Sequence, residues 1–278
     1  MKIESKSARN IFSGFGFLFS VFFSLSANAI YVDLGIGTNL SVFAYKEDLI
    51  PPAKSTETAY YPTLLADLKA HWGANSFLEL KYDGISGVRS QYDGSSLDDN
   101  TPVLAVNKLG FTETELNIRL GITDRFAIFT GTGKHVWNRF LAGNPGYREI
   151  YSWNYTPIGV AVKVLSNPTS EVSIELSQRL MSAGKIKVIT SETIPDGVDS
   201  EMNLGSKPTN RFAVVWQNRW SQFTTQINPW FETSAIGESN VVTNTTLAPN
   251  SGEGIYEPSS KTNRYGVELL FVFTFGSK

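Results

Sequence analysis

The stretch Tyr265-Gly-Val-Glu-Leu-Leu-Phe-Val-Phe-Thr-Phe275, near the end of the chain, decides the fold that the sequence predicts. Side chains alternate between the two faces of an extended strand, so every second residue from Tyr265 to Phe275 lies on one face. That face is wholly apolar and has an aromatic residue at each end, whereas the opposite face carries Gly266, Glu268 and Thr274. These eleven residues match the ~9–11 that a tilted strand needs to cross a bilayer. The stretch therefore predicts a membrane-crossing strand, provided that other parts of the chain have the same pattern.

Nine further stretches show this alternation, at about residues 30–42, 62–72, 78–82, 112–122, 125–133, 149–164, 172–180, 211–220 and 223–231. The connections after the first, third, fifth, seventh and ninth stretches are long and polar, whereas those after the second, fourth, sixth and eighth are short. Outer-membrane barrels have an even number of strands, short periplasmic turns and long outer loops. In lipid, only a closed barrel pairs every backbone group of a sheet. The predicted fold is all-β, a closed antiparallel transmembrane β-barrel of about ten strands, with both mature termini on the periplasmic side.

The long connections are predicted at 46–61, 84–100, 134–148, 185–207 and 236–263. Residues 102–109 could extend a strand above the membrane and are left unassigned. In the sixth stretch, Tyr151, Trp153 and Tyr155 have the opposite parity from Ile158 and the valines that follow it. A shift of one residue moves every side chain to the other face, so a β-bulge is predicted at Pro157.

The first 29 residues have the pattern of a secretory signal peptide. Lys2, Lys6 and Arg9 precede an apolar run at residues 11–25, and Ala27-Asn28-Ala29 provides an Ala-x-Ala cleavage site. The run is shorter than the ~20 residues of a spanning helix. We therefore expect cleavage after Ala29 and export of residues 30–278 to the bacterial outer membrane.

Composition excludes several classes of function. The chain has no cysteine, which excludes a disulfide framework and a thiolate metal site. Its formal net charge is −2, and the basic surface typical of nucleic-acid binding is missing from the sequence. The residues suggest neither a cofactor nor a metal, and outer-membrane lipid is the predicted partner.

Short motifs in the second half of the chain resemble ten-stranded outer-membrane barrels of the omptin-like kind. They are Gly146-Tyr147-Arg148-Glu149, Tyr155-x-Pro157-Ile158-Gly159, Pro229-Trp230-Phe231 and Glu257-Pro258. In the omptin proteases an acidic pair and an Asp-His pair lie on opposite outer rims. The resemblance implies that Asp98 and Asp99 form the first pair. The fourth long connection contains Asp196, Asp199 and Glu201 but no histidine for the second pair.

The terminal strand is similar to those that the outer-membrane assembly machinery recognises in such barrels, which end in an aromatic residue. Phe275 matches that aromatic, although Gly276-Ser277-Lys278 follow it. The resemblance therefore implies that the assembly machinery is a partner of the strand Tyr265 to Phe275.

Charged residues of both signs lie opposite the apolar faces and are predicted to point into the lumen. They are Asp33, Asp67, Lys69, Glu79, Lys81, Glu115, Arg119, Arg125, Glu175, Arg179, Arg211 and Glu268. They could line a charged pore or pair with one another. Pairing is favoured, because wide aqueous channels need ~16–18 strands. Aromatic residues predicted at the membrane interfaces are Trp72, Trp220, Tyr265 and Phe275.

Two hypotheses of function follow. The first is an integral outer-membrane barrel with a structural or surface-interaction role, with a narrow pore as a variant. The alternative is an omptin-like hydrolase that uses acidic residues of the loops together with His135, which is predicted where strand five meets the outer loop. This alternative requires His135 to lie within hydrogen-bond reach of a carboxylate at the outer rim, and Asp98 and Asp99 are the candidates.

Overall fold

The computed structural model describes residues 31–73, 75–95, 101–143, 146–243, 245–247 and 254–276. Their strands are β1 (Tyr31–Glu47), β2 (Ser55–Gly73), β3 (Ser76–Ser95), β4 (Pro102–Gly121), β5 (Phe126–Leu141), β6 (Tyr147–Ser166), β7 (Ser170–Ile189), β8 (Ser200–Asn203), β9 (Pro208–Arg219), β10 (Thr224–Ile236), β11 (Val242–Thr243), β12 (Gly254–Ile255) and β13 (Ser260–Gly276). A search of these residues for a helix able to span a membrane finds none.

Ten of these strands form one closed antiparallel barrel, which confirms the predicted fold class. The ring runs in chain order from β1 to β7 and continues with β9, β10 and β13. It closes because β13 pairs with β1 along its whole length, from Tyr31 opposite Gly276 to Glu47 opposite Ser260. Each strand of the ring therefore has two neighbours, as a sheet in lipid requires.

The pairing register fixes the tilt of the strands. A path of paired residues that starts at Ile118 on β4 and passes once around the barrel returns to β4 at Val106, twelve residues away. With 3.3 Å per residue and about 4.8 Å between strands, this stagger gives a tilt of about 40°. The longest strands have 20 residues and thus extend about 50 Å along the axis. The hydrocarbon core is only ~30 Å thick, so the barrel continues well beyond it.

The apolar side chains of the outer wall lie towards the end of the barrel that carries the termini and the short turns. Ile36, Leu64, Ile158 and Phe271 are each at least half exposed there. The short turns follow β2, β4, β6 and β9, and the longer connections follow the other strands of the ring and lie at the opposite end. This arrangement confirms the predicted alternation of long and short connections.

The strands are longer than the sequence predicts. Most of the predicted loop 84–100 belongs to β3, the unassigned residues 102–109 belong to β4, and residues 134–141 belong to β5. The predictions were wrong because the outer wall of these segments carries polar residues such as Arg89 and Lys108, and the lipid-type alternation is therefore lost. Backbone pairing continues without it.

The bulge predicted at Pro157 was also wrong. Tyr151, Tyr155 and Pro157 are all buried on the inner face, whereas Ile158 is exposed on the outer face, so the parity does not change at Pro157. The register of β6 with β7 shifts instead between Ser152 and Asn154 and again near the end of β6. In the outer half of the barrel the apolar side chains of β6 point into the lumen, whereas nearer the short turns they point outwards. The apolar pattern therefore changes parity along β6 without a bulge at Pro157.

Candidate functional site: the lumen of the barrel

The lumen near the short turns contains a polar cavity of about 200 Å³. Acidic and basic side chains pair along its wall. Lys69 Nζ lies 2.8 Å from Asp67 and 3.2 Å from Glu79, and Arg119 lies 2.5 Å from Glu175. The cavity can hold several water molecules, and its charges are largely compensated within the wall.

A layer of ion pairs closes the middle of the lumen. Arg179 contacts Glu113 at 2.9 Å and both Glu115 and Glu232 at 2.7 Å. Arg264 also binds Glu113 and Glu232. Strands β4, β7, β10 and β13 supply these groups, and β5 adds His135, which contacts Glu113. Five strands on different sides of the ring thus share one network.

A second group of charges adjoins this layer. Glu268 accepts hydrogen bonds from Lys81 at 2.9 Å, Arg211 at 2.8 Å and Asn228 at 3.0 Å. A buried carboxylate is stable only when its neighbours compensate it in this way. The interior is therefore cross-linked from β3 and β9 to β13.

His135 belongs to the middle layer rather than to the outer rim. Its Nδ1 lies 3.0 Å from Glu113 Oε2, its ring stacks on Trp153 with 4.3 Å between centroids, and it is 5% exposed. The predicted position at a loop boundary was wrong because β5 continues to Leu141. The candidate partners Asp98 and Asp99 lie outside the described residues.

Aromatic side chains fill the lumen above the ion pairs. The ring of Trp137 lies 5.2 Å from those of Phe43 and Tyr45 and 4.5 Å from that of Tyr151, and Phe111 packs on Phe43 at 5.3 Å. All five are almost completely buried. A cavity of about 30 Å³ remains beside this aromatic layer, which is space for one or two water molecules. The aromatic layer therefore closes the lumen to solutes.

A buried acidic cluster covers the aromatic layer at the outer end. Arg139 lies 2.7 Å from Glu57, 3.0 Å from Glu149 and 3.8 Å from Glu47. Glu257 precedes β13 and accepts hydrogen bonds from the hydroxyls of Tyr45 at 3.0 Å and Tyr151 at 2.9 Å.

The guanidinium of Arg139 therefore contacts three carboxylates, and Glu257 adds a fourth acidic group to the cluster. Burial, together with the nearby negative charges of Glu149 and Glu47, raises the pKa of Glu257 well above its usual value. The neutral acid is favoured, and this reduces the repulsion between the four groups. The two tyrosine hydroxyls anchor Glu257, and with it the residues just before β13, to the outer end of the barrel.

The structure places eleven of the twelve predicted lumen residues on inner faces, in cavity walls or ion pairs: Asp33, Asp67, Lys69, Glu79, Lys81, Glu115, Arg119, Glu175, Arg179, Arg211 and Glu268. Arg125 is different, because it lies exposed in the turn before β5, at the end of the polar cavity. The four predicted interface aromatics, Trp72, Trp220, Tyr265 and Phe275, lie on the outer wall and are 41–60% exposed.

Sequence reasoning missed the outer part of the lumen. The sequence pattern predicts a loop at Arg139 and the start of a strand at Glu149, and it does not identify Phe43 or Phe111 as inner residues. One signal was present: aromatic residues alternate with polar ones along Tyr151-Ser152-Trp153-Asn154-Tyr155. This is the pattern of a barrel wall with its apolar face inside.

The barrel is similar in structure to the outer membrane protease OmpT from Escherichia coli, with a TM-score of 0.59 and 11% identity over 89% of this chain and 97% of that chain. Lower similarity is found to the translocator domain of the autotransporter NalP from Neisseria meningitidis, with a TM-score of 0.41, 11% identity and coverage of 95% and 96%. The outer membrane protein OprG from Pseudomonas aeruginosa gives 0.37, 13% identity and coverage of 90% and 98%. No model of a known family and no curated protein matches the sequence. The likeness to OmpT shows the outer-membrane β-barrel fold and nothing about activity.

Proposed function

We propose that this protein is an integral barrel of the bacterial outer membrane whose lumen is closed, and that it acts at the cell surface in a structural or interaction role. The observation that carries the proposal is the aromatic layer around Trp137, which fills the lumen above a layer of ion pairs. A solute has no continuous path through these two layers. The outer rim and its connections are then the parts available to partners.

The proposed location rests on further features. Residues 1–29 act as the export signal, and the apolar outer wall faces outer-membrane lipid. Trp72, Trp220, Tyr265 and Phe275 anchor the barrel at the two interfaces. The assembly machinery recognises the strand Tyr265 to Phe275, which then closes the ring against β1.

A hydrolase is the second candidate function. The observation that favours it is the 3.0 Å contact between His135 and Glu113. Both residues are enclosed by the wall, and Glu113 is also bound by Arg179 and Arg264. A substrate could reach the pair only after the aromatic layer had opened, and we therefore place hydrolysis second.

Cysteine labelling tests the proposed orientation, because the chain has no cysteine of its own. Ser206 lies exposed between β8 and β9, and Ser221 lies exposed in the short turn between β9 and β10. In intact cells, a membrane-impermeant maleimide should label Ser206→Cys. Ser221→Cys should react only after the outer membrane is permeabilised. The opposite result, or equal labelling of both variants in intact cells, would contradict the orientation.

A further inference from the structure

The outer wall of the barrel carries a groove of about 690 Å³ that crosses six strands, from β4 to β10. Its size is in the range of small-molecule binding sites, ~300–1,000 Å³. Most of its lining residues lie on outward faces, so the groove opens to the surroundings of the barrel and not to the lumen. It is separate from the lumen site described above.

Small residues occupy several inner positions behind the groove. Ala127, Gly131, Gly159, Ala161 and Ala213 occupy inner positions on β5, β6 and β9. A side chain at Gly159 would meet the ring of Phe129 at 2.2 Å and the carbonyl oxygen of Leu176 at 2.7 Å. The backbone of β6 therefore packs directly on the interior.

Two rows of paired residues form the walls of the groove. The row nearer the short turns runs from Leu120 on β4 to Phe231 on β10, and all six of its residues are apolar. The row nearer the outer loops runs in register from Ile118 through Thr130, Ile158, Gln178 and Asn210 to Thr233. One wall is therefore apolar, and the other becomes polar towards β10.

The polar groups of the second row differ in how they are satisfied. Thr130 donates to the carbonyl oxygen of Pro157 at 2.9 Å. Gln178 Nε2 donates to Asn210 Oδ1 at 3.1 Å, and both amides are exposed. This leaves Gln178 Oε1 as an acceptor and Asn210 Nδ2 as a donor on the outer wall. Polar groups without partners are costly beside hydrocarbon.

The groove is oblique in the bilayer. Six strands at about 4.8 Å spacing give it a length of about 24 Å, and a 40° inclination makes it rise by about 15 Å. This rise equals the thickness of one leaflet of a ~30 Å hydrocarbon core. The upper end, at Asn210 and Thr233, lies beside the level of Tyr265, since Phe231 pairs with Tyr265. That end reaches the outer interface.

We propose that this groove binds one lipid of the outer leaflet through an acyl chain that is joined to the lipid by an amide. The chain lies between the two rows, with its end towards Leu120. The amide carbonyl accepts from Asn210, and the amide N–H donates to Gln178. The inference rests on the proposed membrane location, which the cysteine labelling tests separately.

Native mass spectrometry of the refolded protein in detergent tests this proposal with two defined lipids. Sphingomyelin has an amide-linked chain and phosphatidylcholine has ester-linked chains, while their headgroup is the same. We expect one tightly bound lipid per barrel and a preference for sphingomyelin of roughly fivefold, as one neutral hydrogen bond would give. Gln178→Leu combined with Asn210→Leu should abolish the preference.

Val160→Trp should fill the groove and remove most of the bound lipid. Leu64→Trp, on the outer wall of β2, adds the same side chain outside the groove and should retain the lipid. A folded barrel migrates differently from the heat-denatured protein on cold gels. The band shift between unheated and heated samples therefore confirms that each variant is folded. Equal lipid binding by the two tryptophan variants, no bound lipid in the wild type, or a protein dimer in its place would overturn the proposal. Any of these results would leave the labelling outcome, and hence the proposed location, unaffected.

Discussion

Single buried charges account for much of how the lumen is held together. Arg179 is the clearest example, since its guanidinium compensates Glu113 and Glu115 on β4 and Glu232 on β10 and also stacks over the ring of Tyr155 at 4.8 Å. Removing one member of a buried ion network leaves the others uncompensated, and this costs far more than the loss of an exposed pair. The contribution of an arginine to this barrel therefore depends on its burial.

Arg179→Met should lower the free energy of unfolding by about 3–5 kcal/mol, because three carboxylates lose their shared cation. Arg148→Met is the matched control, since it breaks only the exposed pair with Glu192 and should cost about 0–1 kcal/mol. The midpoint of urea unfolding, followed by the band shift of unheated samples, measures both. Similar midpoints for the two variants would show that the network of Arg179 does not stabilise the fold.

At the scale of the strand, the sequence predicts only the part of each element that lies in lipid. There the two faces differ sharply, as at Ile118 and Arg119 on β4, and the alternation is visible. In the outer half, Trp137 and Tyr151 face inwards and Lys134 faces water, so the apolar face is reversed. The twelve predicted lumen residues all belong to this predictable part of the sequence. The sequence does not identify the aromatic layer or Arg139 as lumen residues. Which face of a strand is apolar there depends on where along the strand the bilayer ends, and the sequence does not show that point.

Adjacent residues on β9 test which face meets lipid. Val214 points outwards between Phe212 and Trp216, whereas Val215 lines the polar cavity. Val214→Arg places a charge in the lipid near mid-bilayer and should destabilise the barrel by ~2–4 kcal/mol. Val215→Arg places the same charge in a hydrated, partly acidic lumen and should cost much less. The folded fraction after refolding into phospholipid vesicles distinguishes them, and a greater loss for Val215→Arg would mean that the faces are reversed.

The whole molecule is a stack of three layers inside one ring. A polar cavity opens towards the short turns, ion pairs around Arg179 cross the middle, and the aromatic layer with the cluster around Arg139 closes the outer end. The strands extend about 20 Å beyond the ~30 Å hydrocarbon core, so the closed part stands mainly outside the bilayer. In the proposed role, the membrane part of the barrel is an anchor and the closed part is a platform at the cell surface.

Single-channel recording of the refolded wild-type protein in a planar lipid bilayer tests this closure most directly. A refolded porin measured under the same conditions serves as the positive control, and band shifts of unheated samples verify that the protein is folded. With the aromatic layer and the ion pairs in place, the protein should insert and give no stable conductance steps. Regular, reproducible steps from the folded wild-type barrel would show that the lumen is open and would contradict the account.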